Sequence, residues 1–305
     1  MAAALAPSGC SLNPEPPLRV GANIWPGYEC LFIARSLGLF QPRPIKLVEY
    51  ASAPEVVRAF KNRAIEVAAL TGDEFLRLAA TQPDVCAILM MDISKGADAL
   101  LARPEHTSLA DLRGKKVGVE VNALGGYMLT RALSSAGIRK DEVEVVPVEN
   151  DQHQKAFADG RVDAVVSFEP HRSRLLKDGA RVLFDSSRIN GEIVDYLVTR
   201  DTILSSRAPA LKALLKGWFE ARERLLTNGD ETARLVASRE GVSTSEFLNS
   251  LDLIELPSLD KNKQMLGTNG RCMANLSTIH AVMVENGLVT GSLPGGKLFD
   301  GGFLP

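Results

Sequence analysis

Carboxylates recur where strand-like runs give way to loops: Glu29, Asp73, Asp92, Glu120, Glu149, Glu169 and Glu192, opposed only by Lys95 and His171. A carboxylate accepts charged hydrogen bonds from an amine, an amidine or an amino-heterocycle, so a rim of this kind suits such a ligand better than a bare anion. The same acids also suit helix N-caps and first turns, where they complement the helix dipole. Two aromatic rings sit in Ile24-Trp25-Pro26-Gly27-Tyr28-Glu29, a Pro-Gly turn after the first strand-like run. Trp25 and Tyr28 can stack on a ligand there, or one of them can cap the core beneath. Asn122 with Gly125-Gly126 opens a helix pattern, which offers bare backbone N–H groups to a polar or anionic group or is an ordinary helix start.

Reaction chemistry is thin by comparison. Gly291–Lys297 has the spacing of a phosphate-binding loop, yet Leu298 stands where that loop needs a magnesium-binding hydroxyl. Ser258-Leu259-Asp260-Lys261 has S-x-x-K spacing without its partner motifs. His106, His153, His171 and His280 are isolated from one another, and no nucleophile stands beside a base. Cys30 is the one suggestive nucleophile, and a small core residue on the first helix is its plainer role. Cys10, Cys30, Cys86 and Cys272 form no metal-ligand spacing, so the expectation is no metal, no cofactor and no catalytic residue.

The elements that must position these loops follow from an internal repeat. At a constant offset of 97 positions, Val20-Gly21 aligns with Val117-Gly118, Phe60 with Phe157, and Ile65-Glu66-Val67 with Val162-Asp163-Ala164. Each copy reads strand, helix, strand, helix, strand, helix: 19–22, 29–37, 45–49, 54–62, 67–70 and 73–80 in the first; 116–120, 126–136, 143–148, 152–158, 164–167 and 169–176 in the second. Strands alternating with helices of this length imply parallel sheets covered by helices, hence two similar α/β lobes. Ala97–Arg103 and Ile193–Arg200 flank the second copy and predict a two-strand hinge, placing 18–98 plus 199–305 in lobe one and 99–198 in lobe two. Helix patterns at 210–227, 230–239, 243–251 and 272–286 return to lobe one. Ligands of open α/β sheets bind beyond the carboxyl ends of the strands, which are the loops named above.

Composition agrees with that plan and removes other classes. The chain has 305 residues, 45% hydrophobic and 24% charged, enough for two lobes with cores. A net charge of -2 supplies no field for nucleic acid or anionic membrane. No run approaches the roughly 20 apolar residues of a membrane span. Ser8-Gly9-Cys10 after a small apolar run, followed by Asn13-Pro14-Glu15-Pro16-Pro17, looks like the end of a bacterial lipoprotein signal with Cys10 lipidated and residues 1–17 as remnant and tether. The alternative is an N-terminal tail with an incidental thiol.

Several segments together resemble the type II periplasmic substrate-binding proteins of ABC importers, in the nitrate/sulfonate/taurine-binding group that also holds binders of thiamine pyrimidine precursors. They are Trp25-Pro26-Gly27-Tyr28-Glu29, Asp92–Asp98, Leu109–Val119, Gly160–Val165 with Phe168-Glu169-Pro170, and Phe184–Asp195. The resemblance runs from about Leu18 to Phe303. It implies a monomeric extracytoplasmic receptor, often lipid-anchored, that closes its lobes on a small solute and delivers it to a membrane permease. By position it implies cleft residues Trp25, Tyr28, Ser52, Thr71, Asp92, Asn122, Phe168 and Glu169, with hinge motion near Ala97–Leu101 and Asp195–Val198. A sensing module on the same fold and, less favoured, an enzyme of pyrimidine-precursor metabolism are the competing readings. The acidic rim departs from the sulfonate and nitrate binders.

Overall fold

The computed structural model describes residues 15–121, 123–267 and 271–305; Cys10 and Asn122 lie outside the described residues. Eleven strands among these form two sheets. Lobe one holds β1 (Leu18–Ala22), β2 (Ile45–Glu49), β3 (Val67–Thr71) and β4 (Val85–Ser94), with β10 (Val194–Arg200) and β11 (Ile254–Glu255), in the order β11-β4-β10-β3-β1-β2. Lobe two holds β5 (Asp98–Ala102), β6 (Lys116–Val119), β7 (Glu144–Pro147), β8 (Ala164–Phe168) and β9 (Arg181–Asp185), in the order β7-β6-β8-β5-β9. The repeat is visible in the pairing: β1 runs parallel to β2 and β3 as β6 does to β7 and β8, with Val20 opposite Val67 and Val117 opposite Ala164.

Helices cover both sheets, as parallel strands apolar on both faces require. They are α1 (Glu29–Ser36), α2 (Ala53–Lys61) and α3 (Gly72–Ala79) in lobe one and α4 (Leu124–Ser135), α5 (His153–Ala158) and α6 (His171–Lys177) in lobe two. The return to lobe one comprises α7 (Asp201–Ser206), α8 (Ala208–Thr227), α9 (Gly229–Ala233), α10 (Thr244–Leu251), α11 (Leu259–Leu266) and α12 (Cys272–Glu285). In α8 the buried residues Leu211, Leu214, Leu215, Trp218 and Leu225 recur at helical spacing and pack against α1. Gly217 permits that approach, since a Cβ there would meet Phe40 at 2.8 Å and the Leu39 carbonyl at 3.0 Å. Helix α11 was not expected from its mostly polar sequence, and its buried Asn262 explains its place. Asn262 Oδ1 accepts from the Met90 amide (2.8 Å) and its Nδ2 donates to the Met90 carbonyl (3.1 Å), next to an irregularity in the β4–β10 register.

The return strand corrects the expected lobe boundary and hinge. β10 is not a crossing: it is paired on both edges inside lobe one, antiparallel to β3 and to β4. Likewise β5 is paired on both edges with β8 and β9 inside lobe two. Residues 98–101 and 195–198 therefore lie inside doubly paired strands, and of the expected hinge positions Ala97 is the one in a crossing. The crossings are the short segments 95–97 and 186–193 between the sheets. There Ser94 and Ser186 hydroxyls meet at 2.7 Å and the Gly96 amide donates to Ser186 Oγ at 2.7 Å, tying the two crossings side by side. Gly96 has φ +124°, a conformation that side chains rarely adopt.

Candidate functional site

The strand ends of both lobes face one another across a narrow cleft. Trp25 of lobe one and Phe168 of lobe two meet edge to face, their ring centroids 5.8 Å apart. With Tyr28 they form aromatic walls around a cavity that the ends of β3, β5, β6, β8 and β10 also line. Space for solvent centres is about 30 Å³, room for about two waters, so the lobes stand closed. Further out, α6 reaches lobe one: Arg174 donates to the carbonyls of Glu240 (2.6 Å) and Gly241 (3.2 Å), and Lys177 pairs with Glu246.

Sequence pattern explains how each wall is held. Gly27, inside the 26–28 turn, lets the backbone pass against Asp92, whose Oδ2 accepts from Trp25 Nε1 at 3.1 Å and fixes the indole. At the start of α3, Glu74 accepts the Thr71 amide (3.1 Å) and Asp73 accepts the Thr71 hydroxyl (2.6 Å), so this helix N-terminus is occupied by the chain's own carboxylates. Gly125 and Gly126 serve the β6–α4 turn, because a Cβ at either would come within 3.0 Å of the backbone of Glu120 or Val121.

Four carboxyl side chains line the cavity: Glu74 and Asp195 from lobe one, Asp98 and Glu120 from lobe two. No Lys, Arg or His is among the described residues lining it. All four are 6% exposed or less, and among the described residues Asp98 Oδ2, Glu120 Oε1 and Asp195 Oδ1 have no hydrogen-bond donor. Burial pushes Glu74 up to about 8, with the Asp73 charge adding to it. Glu120 is likewise raised to about 8 by burial and then by Glu149. Asp98 rises to about 7 through burial, with Glu169 and Asp73 contributing and the Ser94 hydroxyl opposing. Asp195 stands well above the carboxylate range through burial and the neighbouring Asp92. Like charges in a buried pocket resist ionisation together, and a cation among them would remove that resistance.

The structure places Trp25, Tyr28, Thr71 and Phe168 on the cavity. Ser52 is not on it; it precedes α2, and its neighbour Ala53 is the lining residue. Asp92 stands behind Trp25 as its hydrogen-bond acceptor. Glu169 faces away into a separate pocket beside Glu240, held by Arg172 (3.1 Å) and the Ser173 hydroxyl (2.9 Å). Other acids of the expected rim are consumed internally: Glu29 by Arg239, Glu192 by Arg131 at 2.7 Å, and Asp73 by Thr71 and Arg77. Glu74, Asp98 and Asp195 were missed. Asp98 opens and Asp195 interrupts an apolar strand run, a signal that marks a buried carboxylate. Cys30 lies in the lobe-one core with no exposed surface, its thiol pushed up by burial, and does not face the cleft.

Comparison with known proteins adds the lineage. The taurine-binding periplasmic protein of Escherichia coli (strain K12) is 25% identical over 222 residues, covering 72% of this chain and 68% of that protein. The alkanesulfonate-binding protein of Xanthomonas axonopodis pv. citri, bound to MOPS, superposes with a TM-score of 0.77 at 17% identity over 92% of this chain and 96% of its own. A ligand-binding component of an ABC-type import system from Staphylococcus aureus, with zinc bound, superposes with a TM-score of 0.76 at 11% identity over 91% and 94%. The two-lobed periplasmic binding protein fold is thus shared along nearly the whole sequence. A family model matches residues 12–239, and the chain belongs to the NMT1-like family.

Proposed function

We propose that this protein is the extracytoplasmic substrate-binding component of an ABC importer and that its solute is a small organic cation: an amine, an amidine or an amino-heterocycle. The relatives are binding proteins, and the cleft between lobes joined by paired crossings supplies the capture device. It works as a monomer that hands its solute to a membrane permease. The observation that carries the ligand class is the cavity lined, among the described residues, by four buried carboxyls and no basic side chain. A sulfonate placed there would face Glu74, Asp98, Glu120 and Asp195 without a counter-charge, whereas an N–H-rich cation supplies donors to oxygens that have none. Taurine is a zwitterion, so its ammonium would suit these carboxyls although its sulfonate would not.

Thermal shift on ligand-stripped, refolded protein tests this reading. A solute at 100 times its Kd adds about 2.7 kcal/mol of stability, a shift of several degrees. The shift is expected with amidines, amines or aminopyrimidines and not with ethanesulfonate or nitrate. Stabilisation by ethanesulfonate alone would overturn the cationic reading.

A further inference from the structure

We propose that the charge of the solute is what closes this receptor: Glu74 and Asp195 on lobe one oppose Asp98 and Glu120 on lobe two, so the lobes meet only when a cation, or protons in its place, neutralises them. The solute arm of this inference rests on the cationic reading above; the proton arm does not.

The groups facing each carboxyl leave little compensation. Around Glu74 stand Asp73 and Glu120, around Asp98 stand Glu169, Asp73 and Arg172, around Glu120 stand Glu149, Asp151 and Asp73, and around Asp195 stand Asp92, Asp98, Glu74 and the Tyr28 hydroxyl. Arg172 is the one basic side chain in that set, and it is committed to Glu169. Arg77, the basic neighbour of Asp73, also donates to the Leu288 carbonyl. Charge on one lobe therefore meets charge of the same sign on the other. Attractive cross-lobe contacts lie outside the cleft, at Arg174 with Glu240 and Gly241 and at Lys177 with Glu246, and within it at the Trp25–Phe168 edge. None of those contacts uses Glu74, Asp98, Glu120 or Asp195, so the charge on the carboxyls tips the balance between closed and open lobes. The unpartnered oxygens of Asp98, Glu120 and Asp195 point to the species that completes them, a proton or an N–H donor.

Small-angle scattering of the ligand-stripped full chain at fixed ionic strength reads this directly. The radius of gyration is expected to rise between about pH 5.5 and pH 9, as the carboxyls lose their protons. At the upper pH, acetamidinium should restore the compact curve, and acetamide, its neutral isostere, should not. The pair Asp98→Asn with Glu120→Gln should stay compact at both ends of the range; should that pair fail to fold, Glu74→Gln alone should hold the compact state to higher pH. A radius that does not change with pH in the native protein overturns the gate even if cations bind. Expansion with pH that acetamidinium leaves unaltered supports the proton arm and overturns the cationic solute. Equal expansion in the substituted proteins overturns the assignment to these carboxyls.

Discussion

Gly27→Ala is expected to lower the melting temperature by about 5 °C and to weaken solute binding at least about tenfold, because overpacking a filled site costs a few kcal/mol. A Cβ at this position would lie 2.0 Å from Asp92 Oδ2, 2.4 Å from its Cγ and 2.6 Å from Trp25 Nε1. Asp92 cannot swing away cheaply, since it is 1% exposed in β4 and opposite Asp195 in the ladder. The substitution therefore breaks the hydrogen bond that holds the indole against Phe168 and moves one wall of the cavity. Circular-dichroism melts with a binding titration check it; unchanged values in both would mean that the indole is held by something other than this contact.

Stability is expected to fall as the pH rises from about 5 to 8.5, with a loss of at least about 5 °C in melting temperature at constant salt. The sign follows from the direction of the shifts. A carboxyl whose folded pKa is raised carries more protons folded than unfolded between the two values, so its contribution is fully present below the unfolded pKa and is lost as pH rises through the folded one. For Glu74 and Glu120 that window runs from the ordinary 4.5 to about 8, and for Asp98 from 3.8 to about 7. Acids held low by partners, such as Glu246 at about 2 beside Lys177, act in the opposite sense below this window, and His153 and His171, which burial lowers to about 4, do so up to 6.5, so the loss falls mainly above that pH. Opening of the lobes limits the loss, since it rehydrates the cleft. Melts that rise steadily across the range would contradict the buried-acid description.

The repeat made the fold legible. Strands β1, β2, β3 and β6 to β8 fall within a residue or two of their sequence positions because each reads as a short run of β-branched and apolar residues between loops. The lobe to which β10 belongs was not legible: Val194–Arg200 is buried throughout, and an all-buried strand carries no mark of which sheet pairs with it. Within the site, the Trp25 turn and Phe168 were evident from residue type and place. The acids were only half so. Glu29, Glu192 and Glu169 lose their freedom to Arg239, Arg131 and Arg172, and the first two partners lie 210 and 61 positions away in sequence. Glu74 looked like a first-turn helix residue and is one, since it accepts the Thr71 amide; its place on the cavity depends on how α3 meets the opposite lobe.

Proton release on binding tests the central claim most directly. Calorimetric titration of the ligand-stripped protein with acetamidinium near pH 7, in two buffers of different ionisation enthalpy, counts protons exchanged per bound solute. A cation entering between Glu74, Asp98, Glu120 and Asp195 lowers their pKa values, so the account predicts release of about one proton or more per solute bound. Saturable binding of ethanesulfonate with proton uptake, and no binding of the cation, would contradict it.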